Sequence, residues 1–127
     1  MKIEIHATDG RGDICRTLYP QKITFRGRSF VIPRGFESDG ASVPRLFWRL
    51  VCPPLDPEAV RAGIAHDYIY RTQPEGWTRK DADLMLYCFL VEDGMSPVRA
   101  RLAYIGVRSF GWIPWLQNRK RLETASE

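Results

Sequence analysis

His66, Asp67 and Tyr70 follow one another in the run Ala65-His66-Asp67-Tyr68-Ile69-Tyr70, and two further acids, Asp81 and Asp83, come shortly after. An imidazole titrates near neutral pH and serves as a base when a partner orients it, and carboxylate oxygens suit hard cations such as calcium. At helical spacing His66 shares a face with the small residues Ala59, Ala62 and Gly63, where another element can approach closely. Asp83 lines up with Leu86, Tyr87 and Leu90, a stripe that should face the core. A carboxylate there is costly to bury without a partner. If the two helices pack antiparallel, Asp83 can reach the imidazole of His66 or the phenol of Tyr70.

The chemistry that follows is hydrolytic. Asp83 fixes the tautomer of His66, the free ring nitrogen takes a proton from water, and Asp67 with Asp39 or loop carbonyls near Gly40 holds a metal, calcium or zinc, that polarises the substrate. The plain alternative is a buried hydrogen-bond network of His66, Tyr70 and Asp83 that only sets helix packing. A second cluster, Asp39-Gly40-Ala41-Ser42 with Pro44 and Arg45, suits a metal half-site or an anion-binding turn at Gly40, Ser42 and Arg45, and is equally ordinary turn chemistry. A triad of Ser42, His66 and Asp83 is a further arrangement, although no Gly-x-Ser-x-Gly elbow surrounds Ser42.

These residues need elements to carry them. Alternation over residues 2–6 predicts a strand, and 22–25 and 29–32 predict a hairpin about Arg26-Gly27-Arg28, closed by Pro33 and Gly35. Residues 36–55 read as an ordered loop anchored by Phe47, Trp48 and Leu50. Asp56-Pro57 starts a helix that runs to about Arg71. Thr78 with Asp81 forms a capping box for a second helix through Glu92, stopping at Gly94, so Asp81 is a cap. Ser96-Pro97 opens a third, to about Ser109. Gly111 and Pro114 should then end helical structure in an aromatic segment, with the residues after Arg121 frayed. The expected class is α+β: a single domain over 1–127 with a small N-terminal antiparallel sheet packed on two or three helices, β-rich over 1–35, looped over 36–55, helical over 56–110, and closed by 111–127.

Composition narrows the partners. Nineteen basic residues against 15 acidic leave a net +4, partly in the tail at Arg119, Lys120 and Arg121, which is no strong nucleic-acid signature. Trp112 and Trp115, near Arg108 and Arg119, suit a membrane or protein interface. Three cysteines, Cys15, Cys52 and Cys88, cannot all pair within the chain, which favours a reducing compartment. No apolar run approaches a transmembrane span of ~20 residues, no signal-peptide core is evident at the N-terminus, and no Cys/His spacing fits structural zinc.

The run from Phe36 through Asp39, Gly40, Ser42 and Pro44 to Arg45, followed by Ala65 to Tyr70 and Asp81-Ala82-Asp83, resembles the domain of unknown function 1353 family of tailed phages, prophages and bacteria. The resemblance covers about residues 20–112 and implies a phage or prophage origin, with expression in the host cytoplasm or association with the virion, but no activity. His66-Asp67-x-x-Tyr70 is also similar to the helix motif of phospholipases A2. That likeness implies His66 as the base for water, Asp67 as a calcium ligand, and Asp83 with Tyr70 as support. It departs upstream, where Asp39 to Ser42 stand in place of a glycine-rich calcium loop, and no cysteine neighbours His66. Two classes result: a metal-dependent, phospholipase-like hydrolase, or a non-enzymatic phage accessory or virion component that binds a phage protein, a host protein or lipid.

Overall fold

The computed structural model describes residues 3–8, 12–38 and 57–126. The class is α+β. Two compact units divide at Asp39 and Gly40.

The first unit is built of short antiparallel strands. β1 (Ile3–Thr8) pairs with β2 (Gly12–Thr17), which pairs in turn with β5 (Glu37–Ser38). β2 was not expected from the sequence, because its few apolar residues give weak alternation and its partner supplies the pairing. β3 (Gln21–Phe25) and β4 (Arg28–Ile32) form the expected hairpin. Its two-residue turn needs positive φ twice, 52° at Arg26 and 79° at Gly27, the geometry whose twist matches that of the strands. Ile23, Phe25, Phe30 and Ile32 are buried while Lys22, Thr24, Ser29 and Val31 face solvent, as a period of two demands. Thr17 clasps the following turn: its hydroxyl donates to the Pro33 carbonyl at 2.7 Å and accepts from the Phe36 amide at 3.1 Å.

The second unit is helical. α1 (Pro57–Thr72) starts with proline at its first position, where a missing N–H costs nothing; the Asp56 cap lies outside the described residues. α2 (Arg79–Glu92) opens on the expected capping box, with the Thr78 side chain accepting from the Asp81 amide and the Asp81 carboxylate accepting from the Thr78 amide. α3 (Pro97–Phe110) is capped by Ser96. Between α1 and α2, Gln73 and Gly76 take positive φ and fold the chain back.

The resulting pair is antiparallel, shown by Arg61 near the start of α1 bonding Glu92 and Asp93 at the end of α2, each at 2.9 Å. Ile69, Met85, Leu86 and Leu90 are fully buried in this unit. At about 1.5 to 3 kcal/mol for each buried large side chain, four such residues outweigh the several kcal/mol needed to bury one carboxylate. Ala100, Ala103, Gly106 and Val107 are the buried positions on α3, the first three small enough for close helix approach.

The C-terminal segment departs from expectation. Residues 112–126 form a fourth helix, α4 (Trp112–Ser126), where an aromatic break and a frayed tail were predicted. Pro114 lies in the first turn of α4, where no intrahelical N–H bond is lost, so it starts a helix here instead of ending one. Gly111 keeps right-handed helical angles, φ −68° and ψ −16°.

Candidate functional site

α1 and α2 meet over one carboxylate. Asp83 has no solvent exposure, and its Oδ1 accepts from the Tyr70 hydroxyl at 2.6 Å and lies 2.7 Å from His66 Nε2. His66 and Tyr70 sit one helical turn apart on α1, so both face the same point of α2. Their rings stack obliquely with centroids 4.3 Å apart. The structure therefore brings together three of the residues selected from sequence, His66, Tyr70 and Asp83.

The second carboxylate oxygen is met by arginines that sequence reasoning did not assign to the site. Arg108 Nη1 donates to Asp83 Oδ2 at 3.0 Å, and Arg79 Nη1 stands 3.6 Å from the same atom. Only the former is within hydrogen-bond range. Arg79 donates instead to the carbonyls of Val107 and Arg108 at 3.1 and 3.4 Å, closing the C-terminal end of α3. The Arg79 contact was legible as an i, i+4 pair with Asp83. The Arg108 contact was not, since it depends on how α3 crosses α2.

A carboxylate flanked by guanidinium groups offers lone pairs, so the ring presents Nε2–H to it. Burial first, then the charge and hydrogen bond of Asp83, push the Tyr70 phenol far above the ordinary tyrosine range, with Arg79 opposing. Tyr70 thus remains a donor.

α4 completes the enclosure. Trp115 meets the Tyr70 ring edge-on at 5.1 Å between centroids, and its carbonyl accepts from Gln73 Nε2 at 2.8 Å. Trp115 is therefore a packing residue, whereas Trp112 is about half exposed. Gly111 lies so close to the Tyr70 hydroxyl that a Cβ there would collide with it. Glycine here serves close approach and not an unusual φ.

The metal expectation fares differently. Asp67 is buried beside the network, with Arg71 Nη2 3.4 Å from its Oδ2. Among the described residues, no group of three or more His, Cys, Asp or Glu side chains is placed to hold an ion. Asp39, Gly40, Ser42 and Arg45 lie outside the described residues. Cys88 carries a free thiol.

A family model described as "Protein of unknown function (DUF1353)" matches residues 17–107. The span contains His66, Tyr70, Arg79 and Asp83 but ends before Arg108 and Gly111. The chain is similar to two proteins of Sinorhizobium fredii (strain NBRC 101917 / NGR234). It is 28% identical to uncharacterized protein y4jT over 67% of this chain and 25% of that protein. It is 28% identical to uncharacterized protein y4iH over 59% of this chain and 30% of that protein. The matched part of this chain thus spans about a quarter to a third of these relatives. No solved structure matches it significantly.

Proposed function

The chain belongs to the family described as Protein of unknown function (DUF1353), and from that premise we propose that it is a hydrolase in which His66 activates water. The observation that carries this reading is the 2.7 Å contact between His66 Nε2 and Asp83 Oδ1. It orients the ring and leaves Nδ1 as the proton acceptor. Water gives a proton to Nδ1 as its oxygen attacks an acyl ester carbonyl; the imidazolium then returns that proton to the departing alkoxide, releasing acid and alcohol. Asp83 steadies the transient cation. Tyr70 positions Asp83. A base held in this way contributes roughly 10²- to 10⁴-fold in rate.

The likeness of His66-Asp67-x-x-Tyr70 to the phospholipase A2 helix motif favours a lipid ester as substrate. Asp67 is the one proposed cation ligand among the described residues, and the guanidinium of Arg71 competes for it. Those residues do not compose a calcium site, and the proposed reaction uses His66, Asp83 and Tyr70 alone.

A second reading is favoured by a different observation. His66 is 2% exposed, and Asp83 draws partners from α1, α2 and α3 around its two oxygens. A network so enclosed also suits a purely structural clasp in a binding protein.

One experiment separates the two. The purified chain and His66→Gln are assayed against phospholipid vesicles and short-chain esters, with and without calcium or zinc, alongside thermal melts. Hydrolysis by the wild type that falls about 10²-fold or more in a folded His66→Gln supports the enzyme. Absence of wild-type hydrolysis under every condition, or equal activity in the variant, leaves the structural clasp.

A further inference from the structure

α3 and α4 present a surface that the site does not use. Two helical bonds meet at the single residue between them, the Gly111 amide on the Val107 carbonyl at 2.8 Å and the Trp115 amide on the Gly111 carbonyl at 3.1 Å. Gly111 has right-handed helical angles, so the winding continues from α3 into α4. At 3.6 residues per turn, Val98, Leu102, Ile105, Trp112 and Leu116 fall on one face. All five are between 46% and 72% exposed. The opposite side of α4 is occupied, since Trp115 packs on Tyr70 and Arg121 donates to the Arg71 carbonyl at 2.9 Å. This row is the outer face.

As far as Leu122 the charge around the row has one sign; Glu123, exposed one turn beyond Arg119 and Lys120, follows at its end. Residues 97–122 hold six Arg or Lys side chains and no Asp or Glu. Arg101 and Arg119 flank one edge of the row, and Lys120 extends it; all three are exposed. Two copies pairing through this face would set like charges against each other, which is destabilising.

We propose that the outer face of α3 and α4 docks on an anionic lipid surface. An apolar row edged by cations and carrying an exposed tryptophan is the pattern of a helix lying in the headgroup layer. No helix among the described residues is long and apolar enough to cross a membrane, so the face lies on the lipid. The proposal stands apart from the hydrolase reading, because neither His66 nor Asp83 takes part in it.

The test uses the whole chain with vesicles of phosphatidylcholine alone and of phosphatidylcholine with phosphatidylserine, read by co-sedimentation and tryptophan emission. Expected are a blue shift and sedimentation with the phosphatidylserine vesicles that weaken as salt rises, and little binding to phosphatidylcholine. Arg101→Gln and Arg119→Gln should each lower partition about five-fold, the equivalent of ~1 kcal/mol per cation near the surface. Leu102→Gln with Leu116→Gln should abolish the blue shift while the melting curve stays cooperative. No partition into phosphatidylserine vesicles overturns the proposal, as does unchanged partition in both variant sets. Concentration-dependent dimerisation lost in the leucine pair, or capture of an acidic peptide without lipid binding, assigns the face to a protein and likewise overturns it.

Discussion

The Arg108 guanidinium reaches the buried carboxylate of Asp83 at 3.0 Å, tying α3 to α2 where α1 delivers His66 and Tyr70. Removing one partner of a buried pair leaves the other's desolvation uncompensated. Here Arg79 stays nearby and Arg108 is itself one-third exposed, which softens the loss. Arg108→Met should therefore cost about 1 to 3 kcal/mol in urea unfolding. Asp83→Asn should cost more, because it removes the charge that both arginines face. Equal stabilities for Arg108→Met and wild type would show that the contact contributes nothing.

Gly111 and Tyr70 form a steric pair. Gly111→Ala should destabilise by about 1 to 3 kcal/mol, since the added methyl meets the Tyr70 hydroxyl and the Val107 carbonyl. Deleting the hydroxyl in Tyr70→Phe should recover part of that loss, giving a coupling of at least ~0.5 kcal/mol in a double-mutant cycle. Strict additivity would refute the contact.

Tyr70 also predicts a pH effect. Its phenol is held well above the ordinary tyrosine value near 10 by burial and by Asp83. Below about pH 10 both folded and unfolded forms keep the proton, and this group gives stability no slope. Above it the unfolded chain alone ionises, so stability falls by about 1.4 kcal/mol per pH unit from this residue. Tyr70→Phe should lack that component, and the stability gap between wild type and variant should shrink between roughly pH 9 and pH 11. A constant gap would contradict the assignment.

The capping box offers a local test. The Thr78 hydroxyl accepts from the Asp81 amide at 3.1 Å, and the Thr78 amide donates back to Asp81 at 3.0 Å. Thr78→Ala should cost about 1 kcal/mol, and Thr78→Ser should restore most of it. Hydrogen exchange at the first turn of α2 locates the loss.

Local signals alone decided several features. The β3–β4 hairpin follows from Gly27 and an alternating apolar pattern, and the starts of α2 and α3 follow from Thr78-x-x-Asp81 and Ser96-Pro97, because turns and caps are satisfied by residues a few positions apart. The need of Asp83 for a partner, and His66 and Tyr70 as candidates, were legible from helical periodicity and the cost of a buried charge. Tertiary structure decided the rest. β2 acquires its strand form from pairing with β1, Pro114 opens a helix because Trp115 packs on Tyr70, and Arg108 enters the site through the crossing of α3 over α2. Such contacts join residues far apart in the chain, and their energy comes from packing and desolvation that no short window of sequence contains.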